Sequence, residues 1–120
     1  MRETPVEIIL HRQSHELEIA FADGSRNHLP YEFLRVHSPS AEVRGHGPGQ
    51  EVLQVGKQAV NVLGVEPVGS YAMKITFDDG HDSGLYTWEY LRQLGKNQDA
   101  LWQAYLRRIE EAGASRAPTR

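Results

Sequence analysis

The segment LEIAFADG at residues 17–24 returns with little change as MKITFDDG at residues 73–80. In both copies apolar and polar side chains alternate and then give way to Asp-Gly, which is typical of a half-buried strand followed by a tight turn. Further along, YEFLR at residues 31–35 returns as WEYLR at residues 88–92, one residue out of step with the first pair. The chain therefore contains one structural unit twice, and this duplication decides the fold.

Each copy is predicted to fold as a β-hairpin followed by a short helix. The expected elements are strands at residues 6–10, 17–21, 26–29, 65–68 and 72–77 and helices at residues 31–36 and 88–94. Pro30 can open the first helix because a missing N–H costs little in a first turn, and Thr87 is a suitable N-cap for the second. Pro67 confines its strand to the edge or the end of a sheet.

A third helix and a shared core complete the expected fold. After Asn97, apolar residues recur at helical spacing until Gly113, at Leu101, Trp102, Tyr105, Leu106 and Ile109. The core is predicted to contain the inward side chains of the two alternating strands, which are Leu17, Ile19, Phe21, Met73, Ile75 and Phe77. We expect an α+β fold in which two pseudo-repeated hairpin-and-helix units pack together with a C-terminal helix. Residues 1–112 then form a single domain and residues 113–120 a disordered tail.

Composition narrows the class of protein. The 120 residues carry 13 basic and 16 acidic side chains, and a formal charge of −3 gives no general attraction for nucleic acid. No apolar run approaches the roughly 20 residues of a membrane-spanning helix, and the N-terminal sequence does not match a signal peptide. We therefore expect a soluble, cytoplasmic protein that binds neither nucleic acid nor membranes. The absence of cysteine excludes disulfides, thiolate nucleophiles and cysteine-ligated zinc or iron–sulfur clusters.

Two segments outside the repeated strands resemble the signatures of a known family. Residues 34–50 (LRVHSPSAEVRGHGPGQ) are similar to the Leu-Arg-Asp-Asn-Cys-Pro-Cys-x-x-Cys signature of the gamma-butyrobetaine hydroxylase-like N-terminal domain family. Residues 79–85 (DGHDSGL), followed by Trp88, are similar to its second signature. The resemblance covers about residues 5 to 95. It implies the fold of a domain whose bacterial members often stand alone with unknown function.

In the oxygenase members of that family, the resemblance implies a small zinc module held by three cysteines and one histidine. Those positions fall on Ser38, Ser40, Val43 and His81 in this sequence. Hydroxyls are poor zinc ligands and valine offers no donor atom, so we expect a degenerate zinc site and no cofactor. The two serines are instead expected to hydrogen-bond to backbone N–H groups.

The motifs of several enzyme classes are missing from the sequence. A non-haem iron oxygenase needs two histidines and a carboxylate, usually beginning with His-x-Asp, and no histidine here is followed by aspartate two residues later. Neither a Gly-x-Ser-x-Gly elbow nor a Walker motif occurs. We therefore expect no enzymatic activity.

Binding is the remaining chemistry, and basic side chains gather between the two copies. We expect a partner or an anion to contact Arg35, His37, Arg44, His46 and His81, because arginine presents paired donors to carboxylates and phosphates. A competing, structural interpretation places Arg35 in a salt bridge at the end of its helix.

The first functional hypothesis is a non-catalytic accessory or protein-interaction domain with a protein partner. The resemblance implies fusion of this domain to oxygenases and to P-loop ATPases that carry iron–sulfur clusters, as a docking or assembly unit would show. The alternative is a small metal- or anion-binding protein that uses His37, His46 and His81, with Glu42 as a further donor. The sequence also leaves a homodimer open, although Pro67 disfavours pairing at its strand edge.

Overall fold

The structure is a computed structural model that describes residues 4–45, 47 and 49–118. This part of the chain forms two three-stranded antiparallel sheets and four helices. The first sheet has the order β1 (Pro5–His11), β2 (Glu16–Phe21), β3 (Arg26–Pro30), and the second has the order β4 (Val62–Val68), β5 (Ala72–Phe77), β6 (Leu85–Thr87). The helices are α1 (Tyr31–Val36), α2 (Ala41–Arg44), α3 (Trp88–Lys96) and α4 (Gln98–Glu111). The predicted α+β fold of two repeated units and a C-terminal helix is confirmed.

The two copies repeat their backbone geometry as well as their sequence. Gly24 and Gly80 both have a φ of 90°, a conformation that glycine adopts without a Cβ clash. Each glycine amide donates a 3.1 Å hydrogen bond to the carbonyl of the phenylalanine that ends the preceding strand, Phe21 or Phe77. The two copies therefore also share the hydrogen bond that closes the turn.

Sequence patterns do not predict two of the elements, β6 and α2. Strand β6 has only three residues, which is too short for an alternation to be recognised, and it leads directly into α3. Helix α2 is a single turn in a segment rich in glycine and proline. The proline in β4, Pro67, lies in an edge strand as expected, because β4 pairs on one side with β5.

One apolar core is shared by both sheets. The six side chains expected there are at most 2% exposed: Leu17, Ile19, Phe21, Met73, Ile75 and Phe77. Aromatic and aliphatic residues of α1 and α3, such as Phe33 and Leu91, complete the same cluster. A large apolar side chain contributes about 1.5–3 kcal/mol when fully buried, whereas an isolated hairpin is marginally stable in water. Each unit is therefore stabilised by packing against the other.

Each copy also supplies one arginine to the turn of the other copy. Arg35 of α1 donates from Nε to Asp79 Oδ2 at 2.9 Å, and Arg92 of α3 donates from Nη1 to Asp23 Oδ2 at 3.2 Å. The two aspartates occupy the same position in their Asp-Gly turns. The Arg35 side chain is 8% exposed and that of Arg92 is 28% exposed, so the first pair is the more deeply buried.

Helix α4 covers the far end of α1. Its Tyr105 and Ile109 pack with Val36 in a second, smaller apolar cluster, and Trp102 contacts Phe33 edge-on. Among the described helices, none is long and apolar enough to cross a membrane.

The sequence predicts a disordered tail over residues 113–120, and the described part of this tail is docked instead. The carbonyls of Ser115 and Arg116 accept hydrogen bonds of 2.9 Å from amides in segment 56–58. The Arg116 guanidinium donates two bonds, of 2.7 and 2.8 Å, to the carboxylate of the buried Glu32. The low apolar content of the tail does not predict this docking, because the tail is held by an ion pair and by backbone hydrogen bonds.

Replacing Arg35 with methionine is expected to destabilise the fold more than the same replacement of Arg92. The Arg35→Met variant removes two hydrogen bonds of a buried guanidinium, to Asp79 and to Gln54, while Asp79 keeps its bond to Lys57, so we expect a cost of about 2 kcal/mol. The Arg92–Asp23 pair is more exposed, so Arg92→Met is expected to cost about 1 kcal/mol or less. Urea unfolding followed by tryptophan fluorescence measures both free energies. Equal losses in the free energy of unfolding would show that burial of the Arg35–Asp79 pair adds no stability.

Candidate functional site

Three of the four positions that the resemblance assigns to zinc ligands come together in the structure. His81 follows the turn at the end of β5, and Ser38 and Ser40 lie in the connection between α1 and α2. The absence of a side chain at Gly84 leaves room for Ser38, because a Cβ built on residue 84 would lie 2.4 Å from the Ser38 hydroxyl oxygen. The two serines and His81 are at most 6% exposed. We call these three residues the serine–histidine cluster.

Hydrogen bonds join the hydroxyls to the imidazole. His81 Nε2 lies 2.8 Å from Ser38 Oγ and 3.3 Å from Ser40 Oγ. The Ser40 amide donates to Ser38 Oγ at 3.3 Å, which is the kind of serine–backbone bond that the sequence predicts. The bond to the imidazole is an addition that local sequence could not indicate, since His81 is 43 residues away from Ser38.

The other ring nitrogen of His81 faces Glu42. The distance from Nδ1 to Glu42 Oε2 is 3.5 Å, and the Ser83 hydroxyl donates to Oε1 of the same carboxylate at 3.2 Å. Burial lowers the pKa of His81, and Arg35 adds to this effect against the opposing charges of Glu42 and Asp79. The ring is therefore neutral at pH 7. With its proton on Nδ1 toward Glu42, Nε2 accepts from the serine hydroxyls.

These residues do not fit a zinc ion. A tetrahedral site needs four donor atoms around one point. Val43, at the third thiolate position, is buried but has no donor atom. Ser38 and Ser40 lie beside Nε2 of His81, whereas Glu42 lies beside Nδ1, and the two nitrogens point in divergent directions. A single ion cannot bind the imidazole and all three oxygens.

The residues expected at one binding surface do not lie together in the described part of the chain. Arg35 is buried in its ion pair and also donates to Gln54 Oε1 at 2.9 Å, as its structural interpretation requires. His81 is buried in the serine–histidine cluster. His46 lies outside the described residues. His37 and Arg44 line one groove, which also contains residues that the sequence does not indicate.

This groove has a volume of about 580 Å³ and is bordered by all four helices. We call this concavity the arginine groove. Its apolar and basic lining includes Val36, Val43, Val52, Tyr90, Arg44 and Arg108. The helical pattern of α4 indicates its apolar stripe, whereas Arg108 is one of its polar residues and carries no motif. Only the packing of α4 near α2 shows that Arg108 and Arg44 share a surface.

Positive charge in the arginine groove comes from its arginines and not from histidine. The Arg44 guanidinium carbon lies 5.2 Å from the centre of the Tyr90 ring, and the Tyr90 hydroxyl donates to the His37 carbonyl at 2.5 Å. The His37 ring binds the Phe33 carbonyl through Nδ1 at 2.9 Å. Burial lowers the pKa of His37, which this hydrogen bond opposes and nearby Arg108 reinforces. His37 is therefore neutral at pH 7.

A family model described as gamma-butyrobetaine hydroxylase-like, N-terminal, matches residues 8–92. The chain belongs to this family. The match includes both signatures and both repeated units, and it confirms the resemblance carried by residues 34–50 and 79–88. A comparison with curated proteins gives no match.

Three solved structures are similar to the domain. An NMR solution structure is 51% identical with a TM-score of 0.85, and the match covers 100% of this chain and 94% of the other. A second NMR structure is 48% identical with a TM-score of 0.83, covering 98% and 88%. A crystal structure of a DUF971 family protein of unknown function from Acidithiobacillus ferrooxidans is 40% identical with a TM-score of 0.65, covering 77% and 92%.

Restoring the three thiolate positions is expected to create a metal site. The variant Ser38→Cys/Ser40→Cys/Val43→Cys would place two thiolates beside His81 Nε2 and, with the third thiolate at position 43, would supply the residue types of a Cys₃His donor set. We expect it to bind one equivalent of Co²⁺ with thiolate-to-cobalt charge-transfer absorption, and the original chain to show no such absorption. Adding His81→Ala should weaken the binding. A folded triple variant without this absorption would contradict the assignment of the four positions.

Proposed function

We propose that this family member is a non-catalytic adaptor that binds an acidic segment of a partner protein in the arginine groove. The observation that carries the proposal is the placement of two exposed arginines, Arg44 and Arg108, beside apolar side chains in one concavity. Guanidinium groups bind carboxylates through paired hydrogen bonds, and apolar contacts beside them add affinity. An acidic segment with interspersed apolar residues matches both features.

Charge complementarity supports an acidic ligand although the whole chain has a net charge of −3. Glu51 is the one carboxylate among the described residues that line the groove, so the two arginines outnumber it, and one of its oxygens accepts a 3.0 Å hydrogen bond from the Gly49 amide. Arg108 makes a long contact of 3.5 Å to the Glu51 carbonyl, which uses one of the five N–H donors of a guanidinium. The remaining donors suit a carboxylate ligand.

The family resemblance suggests which kind of partner carries that segment. Fusion of this domain to oxygenases and to P-loop ATPases that carry iron–sulfur clusters supports assistance to a protein of one of these kinds. Because the chain has no cysteine, it would act on a cluster carrier by docking and not by holding the cluster through thiolates.

Burial of the serine–histidine cluster supports a structural role and not a catalytic one. Ser38, His81 and Glu42 have the outline of a hydrolase triad, with successive contacts of 2.8 and 3.5 Å. Although Ser38 is among the residues that line the arginine groove, it is only 1% exposed, which leaves no room for a substrate carbonyl at its hydroxyl oxygen. We expect no labelling by a fluorophosphonate probe under conditions that label a serine esterase. Labelling that disappears in Ser38→Ala would refute the non-catalytic assignment.

The alternative of a metal- or anion-binding protein that uses His37, His46 and His81 has less support. His81 is buried with Nε2 beside two hydroxyls, and Nδ1 of His37 is held by a backbone carbonyl. In the described part of the chain, neither His37 nor His81 belongs to a group of three metal-ligating side chains.

An NMR titration tests the adaptor proposal. The probe is a synthetic peptide, Asp-Leu-Glu-Leu-Asp, and its control is Asn-Leu-Gln-Leu-Asn. We expect the acidic peptide to shift amide resonances of α2, segment 50–53 and the C-terminal half of α4, and the neutral peptide to shift none of them. The double variant Arg44→Ala/Arg108→Ala is expected to lose about tenfold or more in affinity, because two charge-assisted contacts are removed.

Arg107→Ala is the matched control, because Arg107 lies next to Arg108 on α4, is equally charged and does not line the groove. It is expected to bind the acidic peptide as the original chain does. Equal binding of both peptides, or equal losses in the Arg107 and Arg44/Arg108 variants, would contradict the proposal. In cells, a photo-crosslinking residue at Val52, which is 52% exposed, should attach to an acidic stretch of the partner, and attachment only to neutral or basic stretches would contradict the proposed ligand.

A further inference from the structure

We propose that His11, Glu18 and His28 form a binding site for a divalent first-row transition ion of the zinc class. A ring nitrogen from each histidine and one carboxylate oxygen lie within 4.8 Å of one another. This site shares no residue with the serine–histidine cluster or the arginine groove, and it is independent of the adaptor function.

Strand pairing in the first sheet places the three side chains together. Glu18 of β2 pairs directly with His28 of β3 on one side and with Ile9 of β1 on the other. Because side chains alternate along a strand, His11 lies on the same face as Ile9, diagonal to Glu18. The neighbours of Glu18 along β2 are fully buried in the core, so the three side chains lie on the opposite, outer face.

The distances within the group are close to those of a metal site. His11 Nε2 lies 2.6 Å from Glu18 Oε1, and the rings of His11 and His28 are nearly parallel with centres 6.1 Å apart. Since imidazole nitrogens lie about 2.0–2.1 Å from zinc, two rings that share an ion have centres roughly 5–6 Å apart. His28 is exposed and the His11 side chain is 38% exposed, so both can rotate to close the remaining gap.

Arg26 holds the carboxylate in a position suited to bind an ion. It contacts Glu18 through Oε2, on the other oxygen from His11, and it also pairs with Glu7 at 2.9 Å. Ligating carboxylates are commonly fixed by such outer contacts. On binding, the ion would replace the proton that His11 and Glu18 share.

The donor set indicates the class of ion. Two imidazoles and one carboxylate suit zinc, copper or nickel, whereas magnesium and calcium prefer sites made of oxygen alone. Three protein ligands on an exposed sheet face leave a coordination position for water. The inferred site is therefore an open three-ligand site on the surface of the first sheet.

Isothermal titration of Zn²⁺ into protein without an affinity tag tests this inference. We expect one equivalent to bind, and the affinity to fall about tenfold or more in His28→Ala and in Glu18→Gln. His15→Asn is the matched control, because it removes an imidazole from the same hairpin at a φ of 57°, which asparagine tolerates. This control is expected to bind zinc as the original chain does.

Thermal unfolding gives a second readout that separates ligand loss from misfolding. Zn²⁺ should raise the Tm of the original chain and of His15→Asn, and leave the Tm of His28→Ala unchanged. Since His28 is exposed, its replacement should not alter the Tm measured without metal. Absence of saturable one-to-one binding to the original chain, or an unchanged zinc affinity in His28→Ala, would overturn the inference.

Discussion

The arginine that each copy places on the turn of the other is the constraint on which the rest of the structure depends. All six residues of α1 are buried, so the charge of Arg35 requires a partner inside the protein, and Asp79 supplies it. Burial alone would raise the pKa of Asp79, but hydrogen bonds from two cations and from the His81 amide outweigh it and lower this pKa to about 2. The Asp79 carboxylate thus pairs with the charge of Arg35 on α1 and also accepts from the backbone amide of His81. It therefore links the buried helix of the first copy to the serine–histidine cluster.

The duplicated turn has different neighbours in the two copies, and this difference explains why only one of them forms a buried cluster. Asp23 accepts hydrogen bonds from the amide and hydroxyl of Ser25, the residue equivalent to His81, at 2.9 and 2.7 Å. After α1, a long connection that includes α2 passes over the turn of the second copy, whereas α3 is followed directly by α4. Residue 25 is therefore partly exposed, and His81 is covered by Ser38 and Ser40. The asymmetry arises from the connections and not from the repeated units.

The sequence predicts what depends on short-range patterns and misses what depends on assembly. Alternation and the Asp-Gly turns identify the central strands and their six core side chains, and Pro30 identifies the start of α1. The three-residue β6 and the single-turn α2 are too short to show a period, and docking of the tail depends on Glu32, which lies far from Arg116 in sequence. Arg108 lies at the groove because of how α4 packs, and no sequence motif indicates this position. The group of His11, Glu18 and His28 depends on the register of three strands, which local patterns leave undetermined.

The hydroxyls of Ser38 and Ser40 do not by themselves explain what holds the connection between α1 and α2 in place. A hydrogen bond contributes a net stability of only about 1 kcal/mol, so the Ser38 and Ser40 bonds to His81 hold this connection only weakly. Two tyrosines of the second copy supply further anchors at the C-terminal end of α1, since Tyr86 donates to the Leu34 carbonyl at 2.6 Å and Tyr90 donates to the His37 carbonyl at 2.5 Å. These phenols act on backbone atoms, so they hold the chain whichever side chains occupy the ligand positions. Because Tyr90 also lines the arginine groove, its bond to the His37 carbonyl helps to fix the shape of the groove.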